Sequence, residues 1–328
     1  MEKLKVFEAF SGIGAQRKAL NNIGLPHEVV ATSDWDINSV AAYAAIHIGE
    51  ENMKDFAKNL DEETLNTRLL RLGISSNGKE TLTKDKIERL SMNKKREIYN
   101  NFSNTRNLGS IVGVNPDKVP DCDLFTYSFP CQAISVAGRQ DGLAKGSGTS
   151  SSMLWECQKI IEAKMPKYLL MENVKNLVSK KYMPFFQEWL DYLEVLGYTT
   201  YYQVLNSKDY GVAQNRERVF AVSILGEHEP FEFPEPIPLT KRLKDYLDEE
   251  VDEKYYLSDE RVTQLFVNLE GKEPNLKKHV VGTCHPRNDL SFGTRDRVVS
   301  NETFAPTLTA TMYKDPPKII GVADNEWR

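Results

Sequence analysis

The sequence predicts an α/β fold, a doubly wound mixed sheet accompanied by a smaller second domain. Three observations carry this expectation. Short β-rich runs alternate with stretches whose apolar residues recur at helical spacing; the alternation stops near Gly226, where EHEPFEFPEPIPL supplies four prolines; and the chemically distinctive residues gather where the strand-like runs end. In such sheets ligands lie at the carboxyl ends of the strands, so the loops there should carry the function.

The elements follow in order. KVFEAF, EVVATS, DLFTYS, YLLMEN, TTYYQVL and RVFAVSIL read as strands, being short apolar runs rich in β-branched and aromatic residues. Between them AQRKALNNIG, INSVAAYAAIHIG, MLWECQKIIEA and FFQEWLDYLEVLG read as helices. A charged, helix-prone stretch at about residues 50–107 interrupts the pattern as an insertion. These readings give a first domain over residues 1–225. Beyond it the chain is acidic over residues 245–260 and then basic and polar over 277–297, which reads as a small second domain over 226–304.

Composition narrows the class. With 328 residues and 40% hydrophobic content the chain can bury a substantial core. Its four cysteines, Cys122, Cys131, Cys157 and Cys284, form no CxxC pair and are too sparse for a disulfide scaffold, so neither a structural metal nor a stapled secreted fold is expected. Reduced thiols point to the cytoplasm. No run reaches the roughly 18 apolar residues of a membrane span, and MEKLKVFEAF lacks the apolar core of a signal peptide. The net charge of −5 is a sum over the whole chain and leaves room for local basic faces that touch nucleic acid.

Four stretches carry chemistry. In FEAFSGIGAQRKAL a strand runs into Gly12 and Gly14 and then a helix, which is either a tight β-to-α turn or a cradle of backbone amides for a nucleotide-like ligand. Arg17 stands where the dinucleotide fingerprint needs its third glycine, which disfavours a nicotinamide cofactor. In SDWD, Asp34 ends the second strand as the partner of a ribose diol or as a helix N-cap, and Trp35 can stack on an adenine. TYSFPCQAIS places Cys131 after a strand and before a glycine- and serine-rich loop containing Arg139 and Lys145. Buried cysteines are usually inert packing, the reading that suits Cys122 and Cys157, whereas a thiol facing the loops can serve as a nucleophile. YLLMENVKNL ends in Glu172 and Asn173, able to hydrogen-bond a heterocycle edge. In QNRERVF, Gln214, Arg216 and Arg218 alternate on entry to a strand and share one face, as catalytic cations or as solvated salt bridges.

Taken as a set and in this order, FSGIG, PCQ, ENV and QNRER resemble the motif series of the S-adenosylmethionine-dependent cytosine-5 DNA methyltransferases of restriction-modification type. The resemblance implies the class I methyltransferase fold, S-adenosylmethionine as cofactor and double-stranded DNA as substrate. Residue by residue it implies that Phe10, Ser11, Gly12, Ile13 and Gly14 with Asp34, Trp35, Ile111 and Pro130 bind the cofactor. It further implies Cys131 as nucleophile, Glu172 and Asn173 gripping the target cytosine, and Gln214, Arg216 and Arg218 supporting base and thiolate. Gln132 and Arg139 would meet the substrate from the closing loop, and MLWE resembles a weaker motif between the others.

Two places depart from that pattern. Where the family usually has an aspartate reading adenine, GSI puts Ser110 beside Ile111. FAPTLTATM resembles the start of the ninth family motif, and residues 305–328 read as the beginning of a C-terminal return that stops at GVADNEWR. A shortened product, or a second polypeptide supplying the rest, is therefore an expectation. An RNA cytosine-5 methyltransferase and a nucleic-acid-binding remnant without turnover are the alternatives; the second domain, resembling a target-recognition domain, favours DNA. There Lys277, Lys278, His279, Arg287, Arg295 and Arg297 are the candidates for phosphate and base contacts.

Overall fold

The computed structural model describes residues 2–130, 153–248, 252, 253, 256, 280–283, 297–300, 304–308, 318–323, 326 and 327. The chain forms two compact units, Met1–Val204 with Val219–Glu232, and Leu205–Arg218 with Phe233–Arg328.

The main sheet has six strands: β1 (Leu4–Ala9), β2 (His27–Ser33), β3 (Leu124–Tyr127), β4 (Tyr168–Val174), β5 (Tyr198–Asn206) and β6 (Glu217–Leu225), in the order β2-β1-β3-β4-β6-β5. All six predicted strands are present. Helices α1 (Ala15–Asn22) and α2 (Ile37–His47) follow β1 and β2. The insertion holds α3 (Glu62–Leu72), α4 (Lys84–Glu88) and α5 (Met92–Asn104), and α6 (Leu154–Lys164) and α7 (Met183–Val195) complete the predicted helices. The chain leaves β1 for β2 on one side and returns to β3 on the other, so the topological switch lies between β1 and β3.

The core explains why these strands read as apolar runs. Phe7, Phe125 and Tyr127 stack across β1 and β3 with ring centroids 5.1 and 5.6 Å apart. Trp189 of α7 meets Tyr127 at 6.1 Å and donates its indole N–H to the Tyr127 hydroxyl at 3.1 Å, satisfying both buried polar groups. Cys157 and Cys122 are buried free thiols, and burial pushes the Cys122 pKa up to about 12. Both therefore stay protonated and serve as packing, as their apolar settings predict.

The insertion has a core of its own, Leu69, Ile74, Ile87, Ile98 and Phe102, joined to Val40 of α2. Each of its helices starts on a side-chain cap: Asp61, Thr83 and Ser91 accept from backbone N–H groups of the first turn.

In the second unit a four-stranded sheet contains β7 (Val280–Thr283), β8 (Arg297–Ser300), β9 (Lys318–Ala323) and β10 (Glu326–Trp327), in the order β10-β9-β8-β7, with β8 and β9 parallel and the outer pairs antiparallel. Composition shifts at Gly226, while the unit break falls after Glu232. The segment Leu205–Arg218, which carries the whole of QNRER, groups with this second unit rather than with the strands that flank it. Its backbone explains why: Asn215 N–H donates to the Ala305 carbonyl at 2.7 Å, Ala305 N–H to Ala213 at 2.8 Å, and the Thr307 hydroxyl to the Asn215 carbonyl at 2.6 Å.

Candidate active site

Register makes the site. Ala9 of β1 is level with Ser33 of β2 and with Tyr127 of β3, and Tyr127 is level with Met171 of β4. Of the residues that follow them, Phe10, Asp34 and Ser128 therefore leave the sheet side by side at its carboxyl edge, and Glu172 stands at the same level in the last residues of β4. One irregularity is needed for this alignment. Between the pairs Val6↔Val29 and Phe7↔Ala31, β2 carries an extra residue, without which Ala9 would meet Thr32 and Asp34 would fall one position short.

The first loop is shaped for a ligand. Phe10 and Gly12 adopt φ of 55° and 52°, and no atom lies within 4 Å of the place a Cβ on Gly12 would take. For Phe10 that left-handed conformation costs roughly 1–2 kcal/mol, a strain that ligand loops commonly store. The Gly12 N–H donates to Asp34 Oδ2 at 2.8 Å, and the Asp36 N–H to Oδ1 at 2.9 Å. Helix α2 is capped by Asp36, whose carboxylate accepts from Asn38 and Ser39, so the N-cap role open to Asp34 in the sequence belongs to its neighbour. Each Asp34 oxygen accepts one N–H and keeps capacity for another donor, such as a hydroxyl of a diol. Burial raises the Asp34 pKa, opposed by the N–H donors of Asp36 and Gly12.

Asn107 is a member of this edge that the motifs do not reveal. The segment after α5 runs beside β2, with Thr32 and Asn107 bridged in parallel. The Asn107 Oδ1 accepts from the Asp34 N–H at 3.3 Å and from the Gly109 N–H at 2.7 Å, and the Ser33 hydroxyl donates to the Gly109 carbonyl at 2.7 Å. Ser110 and the buried Ile111 follow Gly109 directly, and Ser110 donates its N–H to the Leu72 carbonyl.

Fitness for an adenosine-type ligand can be tested on this geometry. Among the described residues the Ser11 hydroxyl is buried without a hydrogen-bond partner, Gly12 opens on free space, and Trp35 beside Asp34 is only half-buried. An unpartnered buried hydroxyl, an open glycine and a carboxylate with spare lone pairs fit a ligand that brings hydroxyl donors and a planar ring.

On the other side of the switch, Ser128 accepts from the Gln16 amide at 2.9 Å, tying the turn after β3 to α1. Glu172 is half-buried at the end of β4, and Asn173, only 2% exposed, donates its amide to the Phe129 carbonyl at 3.0 Å. Asn173 thus holds the chain that leads through Pro130 toward Cys131. Cys131, Gln132, Arg139, Lys277, Lys278, His279, Arg287 and Arg295 lie outside the described residues; Arg297 opens β8, with its backbone level with Thr283.

In the second unit Gln214 and Arg216 precede β6 and Arg218 lies within it. Asn206 organises this entry: its Oδ1 accepts from the Arg216 N–H at 3.0 Å and its amide donates to Asn215 Oδ1 at 2.6 Å. The Ser207 hydroxyl donates to the Gln214 carbonyl at 2.6 Å. Gln214 bridges Ala305, so the QNR run lies beside the FAPTL run that resembles the ninth motif.

A doubly wound sheet with a glycine loop, an acidic residue after the second strand and a carboxylate near the carboxyl end of the fourth defines the class I methyltransferase architecture. Structural similarity agrees at the level of fold: the Schizosaccharomyces pombe Dnmt2 methyltransferase superposes over 99% of this chain and 78% of its own, with a TM-score of 0.53 at 16% identity. The Entamoeba histolytica methyltransferase EhMeth does so over 98% and 77%, with a TM-score of 0.55 at 14% identity. The family model of the C-5 cytosine-specific DNA methylases matches residues 68–278. The type II methyltransferase M2.ScrFI of Lactococcus lactis subsp. cremoris is 46% identical over 262 residues, 79% of this chain and 72% of the relative. The orphan methyltransferase M.SssI of Spiroplasma monobiae is 34% identical over 318 residues, 94% of this chain and 80% of the relative.

The chain belongs to the C-5 cytosine-specific DNA methylases. It is a DNA (cytosine-5) methyltransferase with DNA as its substrate, and the family implies S-adenosylmethionine as methyl donor. Nothing in the comparisons supports a second polypeptide. No helix among the described residues is long and apolar enough to cross a membrane.

Proposed function

We propose that the carboxyl edge of the main sheet binds S-adenosylmethionine on the β1–β2 side and a flipped cytosine on the β3–β4 side, with Cys131 as nucleophile. The observation that carries this reading is the common register level of Ala9, Ser33, Tyr127 and Met171, which brings the glycine loop, Asp34, Ser128 and Glu172 to one edge. Ser11, Gly12, Ile13 and Gly14 with Phe10, Asp34, Trp35, Ile111 and Pro130 would hold the cofactor. When bound, it supplies an electrophilic methyl group.

The protein's own residues then activate the ring. C5 of cytosine is a poor nucleophile, and adding the Cys131 thiolate to C6 moves the ring's electron density toward C5, N3 and the carbonyl oxygen. Glu172 donates a proton to N3 and accepts from the exocyclic amine, and Arg218 and Arg216, the backbone of the latter held by Asn206, stabilise the developing negative charge. After methylation the C5 proton is lost to solvent, the C6–S bond breaks to return the Cys131 thiolate, and the N3 proton goes back to the Glu172 carboxylate. The target must leave the duplex for C6 to be reached, and Gln132 and Arg139 belong to the loop that closes over it. Asn173, through the Phe129 carbonyl, holds the chain that leads to Cys131.

Residues 226–304 we read as the target-recognition domain and 305–328 as part of a return segment. Arg295 and Arg297 are its leading DNA contacts. Replacing both with Ala should weaken duplex binding and flatten its salt dependence; unchanged affinity and slope would remove them from the interface.

The test of the catalytic reading is Cys131→Ser. It should abolish methyl transfer from labelled S-adenosylmethionine to duplex DNA while both ligands still bind. Full activity in the serine variant would defeat the reading.

A further inference from the structure

Helix α1 begins without a cap of its own. Its N-cap residue, Gly14, has φ 80° and no side chain, although the first N–H groups of any helix need acceptors. No other residue can stand there: a Cβ on Gly14 would lie 2.3 Å from His47 Nε2 and 2.7 Å from Tyr43 Cε2. The acceptor arrives from inside the sheet instead. Glu8 of β1, with no solvent exposure, accepts the Arg17 N–H on Oε1 at 3.0 Å and the Tyr43 hydroxyl on Oε2 at 2.5 Å. Arg17 directs its guanidinium to the Tyr43 hydroxyl and the His47 carbonyl, both at 3.4 Å. His47 Nε2 lies 3.1 Å from the Ile13 carbonyl, closing a ring of contacts beneath residues 13–17.

We propose that Glu8 is a positioning residue for the cofactor loop: it supplies, from β1, the cap that Gly14 cannot carry and, through Tyr43, fastens the start of α1 to α2. A buried carboxylate is costly in a sheet core, where an apolar residue of similar size would serve packing as well or better. Its two oxygens are spent on an α1 amide and an α2 hydroxyl, one on each helix that borders the loop. Held from beneath in this way, the loop leaves the Ser11 hydroxyl and the open face of Gly12 turned to the ligand side. Glu8 touches neither cofactor nor DNA in this scheme; it acts through the backbone of residues 12–17. The inference rests on the reading that this loop and Asp34 hold S-adenosylmethionine.

Calorimetric titration of the full chain with S-adenosylmethionine, and separately with duplex DNA, tests it, on variants kept below their melting transitions. Glu8→Ala should weaken cofactor binding about tenfold, the equivalent of one lost charge-assisted hydrogen bond, and leave DNA affinity unchanged. Tyr43→Phe should weaken it several-fold, and Glu8→Gln, which keeps an acceptor for Arg17, should restore most of the affinity. Without cofactor, hydrogen exchange at the Arg17 amide should accelerate in Glu8→Ala and Tyr43→Phe and not in Glu8→Gln. Should Glu8→Ala fail to fold, Tyr43→Phe and Glu8→Gln decide by the same readouts. Lowered melting temperatures with wild-type cofactor affinity in Glu8→Ala and Tyr43→Phe would overturn the proposal. Asp34→Ala separates the two layers: if it alone loses affinity, the positioning role fails; if it too binds normally, the cofactor site itself is misplaced.

Discussion

Among the described residues, two ionisable side chains, a carboxylate and an ammonium, have no solvent exposure, and they are used differently. Glu8 lies under the glycine loop of the main sheet, and Lys95 lies in the inserted helices. Lys95 donates to Glu62 at 2.5 Å and to the Glu88 carbonyl at 3.0 Å, joining α5 to the first turn of α3 and the last residue of α4. Glu62 is 60% exposed, so the pair is anchored on one side in water. Glu8 by contrast is held by an amide and a hydroxyl, and both donors belong to the helices that frame the ligand loop. The lesson is that the insertion uses its buried charge to close a small core, whereas the sheet uses its own to shape a loop. Changes near Lys95 should alter stability alone, and changes near Glu8 should alter ligand binding as well.

The largest effect that sharpens this contrast comes from the two glycines of the loop. Gly14→Ala should cost about 3 kcal/mol or more, adding overlap with His47 and Tyr43 to a left-handed backbone. Gly12→Ala faces open space and should cost only about 1–2 kcal/mol in stability, yet weaken the cofactor through its new methyl group. Denaturant titration paired with cofactor binding measures both; equal stability losses would refute the assigned packing. In the insertion, Glu62→Ala should cost about 2 kcal/mol, less than the roughly 3–5 of a fully buried pair, with cofactor affinity unchanged. A fall in that affinity would break the comparison.

The smallest effect is one of pH. Burial raises the Glu8 pKa above its ordinary value of 4.5, with the Tyr43 hydroxyl and the Arg17 N–H opposing the shift. A carboxyl whose folded pKa is raised binds its proton more tightly in the folded state, so its stabilisation is complete below 4.5 and is lost as pH rises through the folded value. Glu8→Gln lacks this titration. Its melting temperature relative to wild type should therefore shift upward from pH 4.5 to 7.5; a constant difference would show that Glu8 titrates alike in both states.

Much of this was legible in the sequence, and the reason is physical. Strands buried on both faces read as apolar runs, and helices between them as amphipathic stretches, so all six strands and the four principal helices could be placed. The motif residues Phe10, Asp34 and Glu172 were found because each follows such a run. Lateral register was not legible: the extra residue in β2 that sets Asp34 beside Phe10 leaves no mark in EVVATS. Asn107 was hidden for the same reason, since it reaches Asp34 only through the pairing of residue 107 with Thr32. Glu8 did leave a signal, a carboxylate inside the otherwise apolar KVFEAF, two residues before the glycine loop. The grouping of Leu205–Arg218 with the second unit depends on hydrogen bonds to Ala305 and Thr307, some 90 residues away in sequence, beyond any local pattern.

The central claim is that Cys131 is the nucleophile while the buried thiols of Cys122 and Cys157 stay protonated and inert. Incubating the full chain with S-adenosylmethionine and a duplex containing 5-fluorocytosine at the target position, followed by peptide mapping of the covalent product, tests this directly. The account predicts a single adduct on Cys131, absent from Cys131→Ser; an adduct on Cys122 or Cys157, or one that survives in the serine variant, would contradict it.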